Sequence, residues 1–334
     1  MIHQKDTENG FTAFHRSIYY GWVNVAVLLK KYGASFELFD SDFITPLMCC
    51  CSKPNENKTE TLDVLVWGRN KNYNLGLGKI QVKDAPDALD FFRKNKITIT
   101  KASINKYHSL FLCNDRILYG CGHSNEGRLG TGSENTLVNP QKINLKLGQK
   151  TERIKCLSAG MNHSLLLTSR AIYSTGSNKN FQLGLKNCEN SLVFKEIPGF
   201  DKLDVNWNSM NAVIAQEFHS IFVSSHAVYV CGLNVGQFGG IQESIPVPRL
   251  LRVPLPVASP QILLVGSSNA AICIYLYDGK SRYLSIFHGK KVKTYKNPLM
   301  ERIEQLTVNG GELFYNSDEI SHKNNQRKCK AILI

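Results

Sequence analysis

Acidic residues are scarce in this sequence of 334 residues: 27 Asp and Glu stand against 40 Lys and Arg, a formal net charge of +13. The imbalance favours acidic partners, whether nucleic acid, an anionic surface or an acidic protein face, and says nothing about fold. Long apolar runs are also missing. The longest apolar-leaning stretch, Ile262 to Tyr277, is broken by Gly266, Ser267, Ser268 and Asn269, and is too short and polar for a membrane helix. The opening segment MIHQKDTENG has no apolar core, which speaks against a secretory signal. The default expectation is a soluble cytoplasmic protein, with the nucleus also open and no membrane partner. Ten cysteines occur, none in a C-x-x-C pair, so a zinc ribbon or thioredoxin-like motif has no support. Cys49, Cys50 and Cys51 are consecutive; adjacent residues rarely ligate one metal together, so they read as small apolar residues. No disulfide framework is expected in a reducing compartment.

Catalytic signatures are equally sparse. No Ser/His/Asp triad, paired carboxylate set or metal-binding helix motif assembles at defensible spacing, so no catalytic, cofactor-binding or metal residue is assigned. The L-G-x-G phrases at Leu75–Gly78 and Leu129–Gly132 invite a phosphate-loop reading. Such a loop needs a strand before it and a helix N-terminus after it. No helical pattern follows either phrase, so these glycines are expected to supply positive φ at tight turns.

What the sequence does have is 43% hydrophobic and 10% aromatic residues, enough for sizeable cores, and two internal periods. Thr12 and Thr45 lie 33 residues apart, the ankyrin period. Thr12 and His15 form a T-x-x-H phrase, followed by Leu28-Leu29, Gly33-Ala34 and Thr45-Pro46-Leu47. Phe14, Ile18 and Tyr19 fall on one helical face, and Val23, Val27 and Leu28 suit a second helix. Gly33 sits where a helix needs a left-handed cap, and Asp40, Ser41 and Asp42 are turn formers. The segment resembles ankyrin, with Ala13 and Phe43 departing from its usual Pro and Gly. Residues 1–51 are assigned to it and the polar residues 52–63 to a linker.

The second period fills residues 64–334. Gly68, Gly122, Gly176 and Gly232 are spaced 54, 54 and 56 residues apart, and His108, His163 and His219, each followed by Ser, are spaced 55 and 56. Each histidine leads an apolar run, a turn and an aromatic-bearing strand, which reads as a buried hairpin. One His per repeat places these side chains at equivalent positions, too far apart to share an ion. A structural role is expected, each ring nitrogen bonding local backbone. Cys121 and Cys231 share the position of Trp67 and Thr175 before the glycines, which points to core packing.

These phrases resemble the repeat of the regulator of chromosome condensation family. That resemblance implies a mainly β fold, a β-propeller in which each repeat contributes about one four-stranded blade. About five blades are expected, the fifth, from Leu264, distorted, with Asn269 in the His position. The family closes with about seven, so the expectation is an incomplete propeller in a chain lacking further blades.

An ankyrin segment joined directly to such a propeller is similar to the inhibitor of Bruton tyrosine kinase family, in the phrases YYGWVNVAVLLKKYGAS, VWGRNKNYNLG, CGHSNEGRLGTG and GLNVGQFGG. The resemblance implies an adaptor rather than an enzyme. Its implied partners are the pleckstrin-homology region of a Tec-type tyrosine kinase and a cullin ubiquitin ligase, the latter linked through BTB domains that this sequence lacks. The alternative is nucleotide exchange on a Ran-like GTPase, as in the founding propeller family. Basic residues cluster at Arg93–Lys101, at Lys280–Lys296 and at Lys323–Lys330. Lys290, Lys291, Lys293 and Lys296 are the candidate partner-binding patch. Aromatic interleaving suited to base stacking is sparse there, so nucleic acid is not the expected partner.

Overall fold

The computed structural model describes residues 2–7, 10–19, 23–36, 38–41, 45–46, 64–149, 151–203, 205–240, 242–254, 260–289, 291–297, 302–309, 312–318 and 327–333. The expected linker, the three consecutive cysteines, Asp42, Phe43 and Lys290 lie outside them. The chain divides into two compact units. One comprises Met1–Arg69, Gln81–Thr98 and Ser317–Lys328; the other comprises Asn70–Ile80, Ile99–Asn316 and Cys329–Ile334.

In the first unit, helices α1 (Ala13–Tyr19) and α2 (Val23–Lys31) pack together. Thr12 starts α1: its hydroxyl accepts the His15 N–H at 3.3 Å, while His15 Nδ1 accepts the Thr12 N–H at 3.2 Å. This is a capping box with an imidazole in place of the usual carboxylate, and both residues are buried. Gly33, at φ +94°, ends α2. Its N–H bonds the Lys30 carbonyl and the Ala34 N–H reaches back to Leu29, a Schellman arrangement open to glycine at little cost. Phe14, Ala26 and Ala34 form the small core, with Ile18, Leu29 and Phe36 against it. Tyr19 corrects the expected face, being 48% exposed. It lies beyond the stripe that Phe14 and Ile18 present and meets the Phe11 ring instead. The same unit holds the antiparallel pair β1 (Leu65–Arg69) and β2 (Val82–Ala88), followed by the short helix α3 (Asp90–Lys94).

The second unit is built from four-stranded antiparallel meanders. The first is β3 (Ile99–Ile104), β4 (His108–Cys113), β5 (Ile117–Gly122) and β6 (Leu137–Ile143). The second is β7 (Ile154–Ala159), β8 (His163–Thr168), β9 (Ile172–Gly176) and β10 (Ser191–Glu196). The third is β11 (Met210–Ala215), β12 (His219–Ser224), β13 (Val228–Asn234) and β14 (Glu243–Leu250). The fourth is β15 (Gln261–Ser267), β16 (Ala271–Tyr277), β17 (Arg282–His288) and β18 (Lys291–Asn297). A further sheet runs β19 (Arg302–Asn309), β20 (Glu312–Asp318) and β21 (Arg327–Leu333).

The second strand of each of the first three sheets is buried along its whole length. Such strands are apolar on both faces because each sheet is covered by its neighbours. The cores are accordingly continuous between sheets: one cluster joins Leu110 and Leu118 to Leu166 and Phe194, and another joins Leu165 to Phe222, Ile274 and Phe287. The fourth sheet corrects the expected distortion. Its β16–β17 and β17–β18 pairings run without a register shift over seven residues each. What it lacks is the loop chemistry of the repeat, while Ile272, Ile274, Tyr275 and Leu276 still bury its strand.

The spaced glycines and histidines turn out to face one another. His108 pairs with Gly122, His163 with Gly176 and His219 with Gly232. Gly176 has φ +114°, and a Cβ there would lie 2.5 Å from the Asn162 carbonyl oxygen and 2.6 Å from His163 Cα. Gly68 has a similar φ of +105°, but among the described residues nothing lies within 4 Å of a Cβ placed there. Conformational strain alone costs about 1–2 kcal/mol for a left-handed alanine. Gly68→Ala should lose about that much, and Gly176→Ala, which adds a backbone overlap, more than about 3 kcal/mol. Urea unfolding of the two variants tests this; equal losses would refute the close-approach argument.

Candidate functional site

The three repeat histidines are fully buried, and their partners are not local backbone as expected but serines of the next repeat. His108 Nε2 lies 2.6 Å from Ser164 Oγ, and His163 Nε2 lies 2.8 Å from Ser220 Oγ. Each serine hydroxyl in turn donates to a carbonyl of the preceding sheet's loop. Ser164 donates to Arg128 at 2.7 Å and Ser220 to Gln182 at 2.6 Å. Ser109 donates in the same way to Asn74. Asn74, Arg128 and Gln182 each immediately precede a Leu-Gly pair.

The proton count fixes the tautomer. A hydroxyl has one proton, and the carbonyl can only accept it, so each serine oxygen accepts from Nε2–H of the histidine. That count puts a proton on Nε2; burial, which disfavours the cation, keeps the rings neutral and so leaves Nδ1 unprotonated. At His219 the Gln237 amide donates to Nδ1 at 3.3 Å; Nδ1 of His108 and of His163 has no partner among the described residues. Burial drives all three pKa values down from the usual range to about 3, with the Arg128 cation assisting at His108. A metal would compete for Nε2, which is already engaged. Among the described residues no three His, Cys, Asp or Glu side chains group as metal ligands.

The Leu-Gly turns complete each seam. Gly76 lies against Cys121 and Pro140, Gly130 against Phe194 and Thr175, and Gly184 against Ile197, Cys231 and Pro248. All three glycines have φ near +70°, the tight-turn role expected for the L-G-x-G phrases. Cys121 and Cys231 are the small residues that receive these turns, and burial raises both thiol pKa values.

One set of repeat residues has no role assignable from the sequence alone. Asn70, Asn178 and Asn234 follow their glycines by two residues and fold the loop around their amides. Asn70 accepts from the Leu75 N–H at 2.9 Å and donates to the Lys79 carbonyl at 2.7 Å. Asn178 does the same with Leu183 and Asn187. The signal was the recurrence itself, interrupted only by Ser124, which bonds the Ser133 carbonyl.

The seam between the third and fourth sheets departs from this order. Ser267 Oγ stands 3.5 Å from His219 Nε2, and its hydroxyl turns to the Ser268 carbonyl. At this seam a groove of about 610 Å³ opens. Phe238, Leu251, Phe287 and Val292 form its apolar floor, and Arg249 and Arg252 belong to its rim. Of the candidate basic patch, Lys291, Lys293 and Lys296 lie exposed on β18, which carries Val292.

Two outcomes follow from the seam chemistry. Ser164→Ala strips a donor from the Arg128 carbonyl and an acceptor from His108. It should cost about 2–4 kcal/mol, whereas Ser267→Ala should cost under about 1 kcal/mol. Chemical denaturation compares them, and similar losses would remove the seam from the account. The histidines also make stability fall in acid. Their folded pKa of about 3 lies below the unfolded 6.5, so between those values the unfolded chain binds more protons. Each histidine then contributes up to about 1.4 kcal/mol lost per pH unit as pH drops from 6.5 toward 3. Urea melts at pH 7 and pH 5 measure this; His163→Gln should flatten the slope, and an unchanged slope would contradict it.

A family model described as the regulator of chromosome condensation (RCC1) repeat matches residues 63–112 and 117–167. The chain is 31% identical over 320 residues to the inhibitor of Bruton tyrosine kinase of Xenopus laevis, covering 92% of this chain and 23% of that protein. It is 28% identical over 343 residues to the same-named protein of Mus musculus, covering 97% and 24%. The chain thus spans about a quarter of the length of these curated relatives. The crystal structure of human WBSCR16 superposes with a TM-score of 0.63 at 19% identity, covering 76% of this chain and 72% of that one. The fold is a propeller of this repeat type.

Proposed function

The chain belongs to the inhibitor of Bruton tyrosine kinase family, and from that premise we propose that it is a non-catalytic protein-interaction scaffold whose partner is a Tec-type tyrosine kinase. The observation that carries the reading is how each seam spends its polar groups. The buried histidines and serines are committed to holding sheet to sheet, and the buried thiols receive the turns. What they position is a set of loops and outer strands, the parts of a repeat fold that bind partners. The relatives' shared name supplies the kinase. The helix pair α1–α2 is read as an ankyrin repeat preceding the propeller, with residues 52–63 as the linker. A cullin ubiquitin ligase is the second partner class in this reading, in the cytoplasm or nucleus.

The test is binding of the full chain to the purified pleckstrin-homology region of a Tec-type kinase by calorimetry, alongside nucleotide release from a Ran-like GTPase. Saturable binding with no acceleration of release is expected. Absence of binding would end the kinase reading, and accelerated release would replace the scaffold with an exchange factor.

A further inference from the structure

We propose that the groove at the third seam binds an acidic peptide segment that inserts an apolar side chain. The inference deepens the scaffold reading and rests on it for its biological setting. Its physical basis is separate and lies in three features of the same place.

The first is shape and chemistry. The groove floor is carried by Phe238, Leu251, Phe287 and Val292, and its volume of about 610 Å³ falls in the range of pockets that enclose side chains or small ligands. Leu250, 46% exposed, belongs to the same lining. An apolar anchor fits here; a hydrated phosphate chain gains nothing from such a floor.

The second is charge. Between residues 242 and 297 there are eight Lys and Arg against two acids, so this stretch carries six of the thirteen net positive charges. The two acids are already engaged. Glu243 pairs with Arg249 at 2.7 Å, and Asp278 accepts from the Lys280 and Ser281 N–H groups and from the Tyr283 hydroxyl. Arg252 remains exposed in the groove lining, and Lys291, Lys293 and Lys296 lie exposed along β18 outside that lining, adding to the positive charge of the region. An acidic segment is steered to such a cluster and rewarded at its rim.

The third is position. The loop glycines at the earlier seams abut Pro140, Phe194 and Pro248; at this seam Gly239 meets Val292 at 3.3 Å and Phe287 at 3.9 Å. The second-strand serine that closes the other seams onto the loop carbonyl has no counterpart here: its register position, opposite Ser267, is taken by Ile272. The opening is therefore built into the fourth sheet's departure from the repeat. Single-stranded nucleic acid, the competing occupant, needs exposed aromatic faces for stacking. Phe238 and Phe287 are more than nine-tenths buried.

The experiment titrates the full chain with a fluorescein-labelled hexapeptide of two central leucines flanked by glutamates. A lysine-flanked version and a ten-nucleotide thymidine strand are the comparison probes. The acidic peptide should bind, and Arg249→Glu with Arg252→Glu should weaken it at least tenfold. Lys142→Glu with Lys195→Glu, which removes equal charge from other outer strands, should leave it within twofold. Hydrogen exchange on the unaltered protein should show slowing at 249–254 and 287–293 when the peptide is added, a readout that does not depend on any variant folding. No binding, equal loss in both double variants, protection elsewhere, or tighter binding of the thymidine strand would each overturn the proposal. None of these outcomes involves a kinase, so failure of the groove and failure of the kinase reading are separable.

Discussion

The structure depends on a hydrogen bond that crosses from one sheet to the next: imidazole Nε2–H to serine hydroxyl, and that hydroxyl to a loop carbonyl. Each part constrains the others. The carbonyl can only accept, so the serine must donate to it; the serine has no second proton, so the imidazole must carry a proton on Nε2, and burial keeps that ring neutral. The histidine can reach across the seam only because its hairpin partner is a glycine. At Gly176, for example, any side chain would collide with the backbone of the histidine strand. A single interaction thus explains why Gly, His and Ser recur together at one spacing.

This interlock also explains why the residues with the most chemical character do no visible chemistry. Burial suppresses the charged form of His108, His163 and His219 and raises the thiol pKa values of Cys121 and Cys231. Perturbed pKa values often mark active sites. Here the perturbation has a structural origin, since every one of these groups faces a neighbouring sheet rather than a cleft. The same inner seams are reinforced by Ser103 and Ser158, whose hydroxyls accept the N–H groups of Ala159 and Ala215 from adjoining first strands.

The propeller was legible because its repeat spacing and its hairpin pattern are properties of the chain itself. The histidine marker, the glycine and the apolar run all lie within one hairpin, and local sequence displays them. The identity of the histidine's partner was not legible in the same way. Ser164 stands 56 residues beyond His108, and a bond between repeats leaves no mark in either one. Asn70, Asn178 and Asn234 were visible as a recurrence, yet their work on the loop backbone appears only in three dimensions. Tyr19 and the fourth sheet show the opposite failure. The helical stripe of α1 is one residue narrower than the periodicity predicts, and loss of the loop phrases, which predicts a distorted sheet, leaves the pairing of β16 to β18 unbroken. Strand burial by Ile272, Ile274 and Leu276 was enough to keep that sheet regular.

The fourth sheet then shows what a repeat gains by departing from its pattern. A sheet needs its apolar strands to fold, but it needs the loop phrase and the His-Ser pair only to close tightly on its neighbour. Losing the second set while keeping the first leaves a regular sheet with a looser seam. The His219–Ser267 separation of 3.5 Å and the groove beside Phe287 are two expressions of that one change. The lysines of β18 admit a simpler role, since charged residues on an edge strand discourage pairing with other sheets. That role accounts for Lys291, Lys293 and Lys296. It covers Arg249 as well, on the outer strand β14, but not Arg252, which lines the groove from the loop after that strand. An exposed cation at the lip of an apolar opening, off any strand edge, is what a specific acidic partner requires and what edge protection does not.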